Sequence, residues 1–316
     1  MRAITIPEFG GAEVLRGADV KVPEPGPGQV SIDVAYAGAN FAEVLYRQGV
    51  VDVPLPFVPG IEVSGRVRAV GDGVEDLRPG QPVAALTIVD GGGYAEVAVT
   101  SADLVAPLDG LPPDVAAGVP SNSTTAFLVL DRVARIEPGE SVLVHAAAGG
   151  VGSQLGQAAR LLGAGRVVGT VGSPAKVEAA KAFGYDEVVL RDQVPDGPFD
   201  VVVDMVGGPA RRAGVDLLAP MGRLVVMGNA SGADDVGLSA NGLWFANRTV
   251  SGFNLAAFSA AFPEQAGRAL RRAVAAAESG ALRLQVETLP LEGAAEAHRR
   301  IETGATTGKL VLAVAP

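Results

Sequence analysis

Cysteine is absent from the 316 residues, which removes disulfides, thiolate nucleophiles and thiolate metal ligands at once. Imidazole is nearly as scarce, since His145 and His298 are the only histidines. Catalytic zinc takes about three protein ligands, and two isolated histidines do not supply them. Lysine is confined to Lys21, Lys176, Lys181 and Lys309 among 25 basic residues, so each ammonium is a candidate for a defined task. No uninterrupted apolar run reaches the roughly 18 residues that span a bilayer. Met1 to Gly10 carries no basic-then-apolar signal pattern. The expectation is a cytoplasmic protein with no membrane partner. A formal net charge of −10 sets up a field that opposes phosphate backbones, so no nucleic-acid partner is expected. That field leaves room for one local basic pocket.

What is present is ample core material: 48% hydrophobic residues against 19% charged. The length favours two domains over a single core. In the first hundred or so residues, short β-branched or alternating runs at Met1–Ile6, Gln29–Tyr36, Glu62–Val70, Gln81–Ile88 and Tyr94–Val99 read as strands. Proline and glycine clusters punctuate them, which suggests a partly closed antiparallel barrel. Past about residue 120 strands alternate with helices. Strands are expected at Ser141–His145, Arg166–Val171, Glu187–Leu190, Asp200–Val206, Arg223–Met227 and Thr249–Phe253, and helices at Ser153–Leu162, Pro174–Phe183 and Pro209–Leu218. That rhythm implies an α/β fold, a doubly wound parallel sheet. The tail reads as a helix at Pro263–Ser279, a strand at Leu282–Leu289, a helix at Glu292–Thr303 and a strand at Lys309–Val314, and is expected to rejoin the first domain. The expected boundaries are 1–119 with 261–316 for one domain and 120–260 for the other.

The most informative segment is His145-Ala146-Ala147-Ala148-Gly149-Gly150-Val151-Gly152, between a strand and a helix. Ala147, Gly149 and Gly152 fall on the three positions of a G-x-G-x-x-G pattern. Small residues there allow a tight turn, a close approach of backbone to pyrophosphate, and helix-to-strand packing. Amides opening the helix would face the phosphates. About twenty residues on, NAD sites usually place an acid against the ribose hydroxyl. Gly169-Thr170-Val171-Gly172-Ser173-Pro174-Ala175-Lys176 holds none. Ser173 can donate a hydrogen bond and Lys176 can set an ammonium beside a 2′-phosphate, with Arg191 as a second cation, so the expected cofactor is NADPH. Val206 and Gly207, with Met227, Gly228 and Asn229, lie at strand ends where ligands bind in such sheets. Asn229 is either a ribose or diphosphate contact or a turn residue.

In combination, these segments resemble the zinc-free quinone oxidoreductase branch of the medium-chain dehydrogenase/reductase superfamily. So do Gly38-Ala39-Asn40-Phe41, Pro59-Gly60-Ile61-Glu62-Val63-Ser64-Gly65, Met227-Gly228-Asn229 and Gly308-Lys309-Leu310-Val311-Leu312. The resemblance runs from the first strand to the last. It implies a GroES-like, barrel-like catalytic domain, a Rossmann domain with the active site between them, and a homodimer or homotetramer. Zinc-dependent relatives hold metal through a Cys where this chain has Asn40 and a His where it has Ile61, so no metal site is expected. The resemblance further implies hydride transfer to a small-molecule quinone or conjugated enone. Asn40 is the polar group expected near the nicotinamide or acceptor oxygen. Thr125 matches a position beside the nicotinamide, with helix capping as its alternative. Tyr46 is either a hydrogen-bond donor in the active site or a packing residue, because the family's tyrosine aligns with Leu45. Phe253 to Leu255 resembles the strand near the carboxamide, and both of those residues are expected to contact cofactor. Phe57, Trp244 and Phe245 line a substrate pocket or belong to core and interface. His145 is expected to hydrogen-bond at a strand end, and His298 to lie on a helix surface. Two other functions remain open: an enoyl reductase of polyketide or thioester intermediates, and an NADPH-binding sensor or structural protein with little turnover.

Overall fold

A computed structural model of the chain describes residues 1–193 and 195–315. Two units divide it, Met1–Thr124 with Leu255–Pro316, and Thr125–Asn254. The first changeover falls inside a helix and the second just past a strand. The sequence reading had set them at 119/120 and 260/261.

The first unit opens with an antiparallel ribbon, β1 (Arg2–Thr5) and β2 (Arg16–Asp19), tied onward by bridges from Ala3 to Ala95 and from Ile6 to Phe57. Its spine is β3 (Gln29–Ala39), followed at once by helix α1 (Phe41–Arg47). Then come β4 (Glu62–Val70), β5 (Pro82–Leu86), β6 (Val97–Ser101) and β7 (Val105–Pro107), with short helices α2 (Pro113–Ala116) and α3 (Pro120–Phe127) closing the segment. Strand β4 runs antiparallel to β3, and β6 pairs with residues Gln29 to Asp33 of β3. Where β3 and β4 shift register, a Cβ on Gly65 would collide with the Asp33 carbonyl, so only glycine fits that approach. Ile4, Ile6, Val30, Ile32, Val34, Val63, Val67 and Tyr94 fill the core beneath.

In the second unit the order is β8 (Ser141–Val144), α4 (Gly150–Leu161), β9 (Arg166–Val171), α5 (Val177–Lys181), β10 (Glu187–Leu190), β11 (Phe199–Asp204), α6 (Gly208–Asp216), β12 (Leu218–Val226), α7 (Ala240–Ala246) and β13 (Thr249–Gly252). A π-helical stretch, Leu128–Val133, precedes them. All six strands are parallel, in spatial order β10-β9-β8-β11-β12-β13. This is the doubly wound order, and it reverses beside β8, where such sheets take ligands at their carboxyl ends. The expected helix Pro174–Phe183 is instead a 3₁₀ turn, Pro174–Lys176, running into the short α5.

The tail supplies α8 (Leu255–Ala261), α9 (Pro263–Glu278), β14 (Val286–Pro290), α10 (Ala294–Glu302) and β15 (Lys309–Ala313). Strand β15 pairs antiparallel with Tyr36 to Ala39 of β3 and parallel with β14. The last strand thus completes the sheet that the first segment begins. Helix α9 buries Ala266, Leu270, Ala273, Val274 and Ala277 on one stripe. Leu255 was read with the preceding strand, but Leu-Ala-Ala-Phe-Ser-Ala-Ala is a helix-forming run and Leu255 starts α8, 8% exposed, in the first unit. His298, expected on a helix surface, is fully buried in α10, its ring edge-on to Tyr94. Burial, and then the Arg47 guanidinium, pull its pKa down to about 3.

Candidate functional site

Strand β8 ends in a turn whose conformation follows from its small residues. Ala146 takes a left-handed φ of 56°, and the Gly149 amide donates back to its carbonyl at 3.0 Å. Ala147 donates to the Thr170 carbonyl at 2.9 Å, and its methyl group occupies the space that a side chain on Gly169 would need. The first bond inside α4 runs from the Ser153 amide to Gly149 O at 2.9 Å, and no side chain caps the helix. The amides of Gly150, Val151 and Gly152 therefore open the helix without intrahelical acceptors, at the positive end of its dipole.

The two outer glycines of the turn differ in what they do. A Cβ on Gly152 would strike the Ala146 carbonyl, so that glycine is demanded by packing. A Cβ on Gly149 meets nothing closer than Ala146 O at 3.4 Å, an ordinary contact. Ala148 is buried beneath the turn. His145 hydrogen-bonds Thr170 Oγ1 through Nδ1 at 2.9 Å, and burial holds its pKa below the usual value.

At the ends of β9 and β10 the structure brings Gly172, Lys176 and Arg191 together. The Arg191 guanidinium would lie 3.6 Å from a Cβ on Gly172. Burial, and then the Arg191 charge, lower the Lys176 pKa. An anion between two like charges offsets their repulsion. Ser173 precedes the 3₁₀ turn and does not cap it through its side chain.

The ends of β11 and β12 are organised by Asp204, which sequence reading used only as part of a motif. Its fully buried carboxylate accepts from the Val206 and Gly207 amides at 2.8 and 3.0 Å and from Arg211 Nε at 2.8 Å. Arg211 also donates to Gly228 O and Asp235 Oδ1, at 2.7 and 2.9 Å. Gly207 takes a left-handed φ of 81°. Met227 donates to the Asp204 carbonyl, and Phe253 to the Val226 carbonyl, both at 2.9 Å. Asn229 donates to Ala233 O at 2.8 Å, so its amide serves its own loop. The sequence signal was an acid at the end of a buried strand followed seven residues later by an arginine. Trp244 and Phe245 stack on α7 at 4.7 Å and are 70% and 76% exposed.

In the first unit, Asn40 precedes α1 and belongs to a polar cluster with Glu62 and Lys309. Lys309 donates from Nζ to Asn40 Oδ1 at 2.5 Å, to Ala39 O at 3.1 Å and to Glu62 Oε1. Asn40 donates from Nδ2 to Glu62 Oε1 at 2.9 Å, and the Ser121 amide donates to Glu62 Oε2 at 2.7 Å. Close by is Glu43, which sequence reading missed. It is fully buried, accepts from the Ile61 amide at 3.1 Å through Oε1, and leaves Oε2 without a partner among the described residues. Its signal was a glutamate on the same face of α1 as Arg47, itself buried against Gly10 O and Glu302. Burial outweighs the nearby Lys309 charge and pushes the Glu43 pKa up to about 7.

Tyr46 packs edge-on against Phe57 with ring centroids 5.9 Å apart. Burial, and then the Glu43 charge, push its pKa up to about 12. Thr125 is buried in the interior of α3, which begins at Pro120, so it caps no helix start. Among the described residues no group of three or more His, Asp or Glu side chains is placed to hold a metal.

The raised Glu43 pKa has a consequence for stability. A carboxyl group whose pKa rises from 4.5 unfolded to about 7 folded stabilises the fold fully below pH 4.5 and loses that contribution as pH climbs through 7. Glu43→Gln is expected to be more stable than the parent at pH 8, by on the order of 3 kcal/mol. Its stability should also lack the parent's decline between pH 4.5 and 7. Urea denaturation across that range is the measurement, and an unchanged pH dependence would refute the assignment.

Two family models match the chain: an alcohol dehydrogenase GroES-like domain over residues 26–110, and a zinc-binding dehydrogenase over residues 177–312. The synaptic vesicle membrane protein VAT-1 homolog of Rattus norvegicus is 33% identical over 346 residues, spanning 100% of this chain and 85% of that protein. The quinone oxidoreductase of Pseudomonas aeruginosa is 34% identical over 328 residues, spanning 98% of this chain and 99% of that protein. The solved structure of Escherichia coli quinone oxidoreductase complexed with NADPH superposes with a TM-score of 0.89 at 29% identity, covering 99% of this chain and 100% of that one. Zinc, which the second family description implies, does not fit the residues present. There is no cysteine, no group of three or more His, Asp or Glu among the described residues is placed to hold a metal, and both Glu62 oxygens are engaged by Lys309, Asn40 and Ser121. By its GroES-like first unit, its Rossmann second unit and its full-length similarity to these proteins, the chain belongs to the quinone oxidoreductase branch of the medium-chain dehydrogenase/reductase superfamily.

Proposed function

We propose that this protein is an NADPH-dependent reductase that delivers hydride to a quinone or a conjugated enone without a metal. One observation carries the cofactor assignment: beside the uncapped start of α4, the ends of β9 and β10 bring two cations together, Lys176 and Arg191, with no carboxylate among residues Gly169 to Lys176. The α4 amides suit a diphosphate. The cation pair suits a 2′-phosphate, whose charge relieves the repulsion between them, and an NADPH complex of the similar E. coli enzyme supports the same choice. Bound there, NADPH supplies the hydride.

The acceptor side rests on Asn40. A conjugated carbonyl disperses the charge it gains, so a hydrogen-bond donor at its oxygen can replace a Lewis acid. The Asn40 amide is such a donor. A positive charge already sits on Glu62 in the form of Lys309, which supports the metal-free reading. A homodimer or homotetramer belongs to the same proposal. It is supported by β13, which ends the strand order of its sheet, and by the exposed Trp244 and Phe245. Trp244→Glu is expected to shift elution in size-exclusion chromatography toward the monomer, and an unmoved profile would count against that surface.

Lys176→Ala should weaken NADPH binding about tenfold to a hundredfold, the worth of a charge-assisted bond, and leave NADH within about twofold. Equal loss for both would remove Lys176 from the phosphate site. Gly149→Val should abolish binding of either dinucleotide, and the protein should still fold, since a Cβ there meets nothing closer than Ala146 O at 3.4 Å. Fluorescence titration and calorimetry read the two effects. Turnover is tested by NADPH oxidation with a benzoquinone, a short enone and an enoyl thioester. The proposal expects the first two to be reduced. Preference for the thioester alone would reassign the substrate, and tight binding with no turnover on any of them would point to a sensor.

A further inference from the structure

We infer that Lys309 is a positioning residue for the acceptor site, holding the Asn40 carboxamide in the one orientation that leaves an N–H free to meet substrate. The inference rests on the role proposed above for Asn40.

The backbone brings the two residues together. In the β15–β3 ladder Leu310 is paired with Ala39, which sets Lys309 beside Asn40 at the end of the spine strand. The preceding Gly308 takes a left-handed φ of 68°, and a side chain there would strike the Gln285 carbonyl, so the entry into β15 is fixed. The Lys309 stem is packed as well: a Cβ on Gly118 would lie 3.1 Å from its Cγ. With the residue 4% exposed, the ammonium has little freedom.

An ammonium has three hydrogens and no lone pair. Its three acceptors, Ala39 O, Asn40 Oδ1 and Glu62 Oε1, use all three. An ionised carboxylate only accepts, and Glu62 accepts from Lys309, from Asn40 and from the Ser121 amide. The Asn40 amide is therefore wedged between a group that can only donate and a group that can only accept. Turning it over would set its oxygen against the carboxylate and its NH₂ against the ammonium, two repulsive contacts in place of two bonds. One amide hydrogen remains. Asn40 is half-buried, and that second N–H has no protein partner among the described residues. It is a donor of fixed sense, suited to an oxygen that gains negative charge as hydride arrives.

A purely structural ion pair would join β15 to β4 and do nothing for Asn40, so the test must separate the two. Removing Lys309 alone strands a buried carboxylate and endangers folding. The informative variant is E62Q/K309M, which removes both charges together. It is compared with N40A and with the triple variant N40A/E62Q/K309M, reading kcat for a benzoquinone, NADPH affinity and melting temperature. N40A should lower kcat about a hundredfold, as expected for one donor at a developing oxyanion. E62Q/K309M should lose a large part of that with NADPH affinity unchanged, and the triple variant should fall no further than N40A, because residues acting through one another are not additive. Losses that multiply, or a wild-type kcat in E62Q/K309M, would overturn the positioning role and leave the role of Asn40 standing. A wild-type kcat in N40A would overturn both. N40D, at a half-buried position, supplies the check that survives misfolding of the charge-removed variant. It keeps an acceptor for Lys309 but has no amide hydrogen, so it should fall as far as N40A, and full activity would sink the idea that an outward N–H is what Lys309 secures.

Discussion

The buried contact between Lys309 and Glu62 is where the two ends of the first unit are joined. Lys309 opens the last strand and Glu62 opens β4, yet both meet at the end of β3. Two desolvated charges are tolerable only when every remaining donor and acceptor is matched. Here Ala39 O, Asn40 and the Ser121 amide complete the matching. That condition ties the chain's return, the start of α1 and the approach to α3 to a single arrangement. Glu43, a few residues away, shows the alternative. Among the described residues it has no cation bonded to it and one oxygen unpartnered, and burial raises its pKa instead.

The second unit applies the same rule in reverse. At the ends of β11 and β12 the matching is close: Asp204 collects two amides and a guanidinium, and Arg211 spends its nitrogens on Asp204, Asp235 and Gly228. The first amides of α4 are left uncapped, and Lys176 is partly buried within reach of the Arg191 charge. Helix-opening amides without intrahelical acceptors and positive charge at the carboxyl edge of one parallel sheet form a surface that binding of an anion would stabilise.

Much of this was legible in the sequence where local chemistry decides. Strands β4, β9 and β10 begin and end where the apolar runs bounded by glycine, proline and charge say they should. The turn after β8 was readable because its need for small residues is steric and local. What escaped depends on partners distant in sequence. His298 looks like a surface residue of an amphipathic helix until Tyr94 and Arg47 cover it. Glu43 sits in a helix of ordinary composition, and only the packing of α1 makes it fully buried. Leu255 was drawn into the strand before it by family likeness, against its own helical run. Tyr46 and Thr125 share the difficulty: neither residue type specifies whether its hydroxyl faces a site or a core.

The scarcity of lysine acquires a physical sense at the site. Most basic residues are arginine, and where the chain meets planar or divided acceptors it uses arginine: Arg211 bridges two carboxylates and a carbonyl, and Arg223 grips Glu140 and the Ala134 and Arg135 carbonyls. A guanidinium is a flat fork and suits those partners. The three acceptors around Lys309 come from a backbone carbonyl, an amide and a carboxylate converging on one point, which a compact ammonium can serve and a fork cannot. Lysine stands at that position for the shape of its charge, and the orientation of Asn40 follows from it.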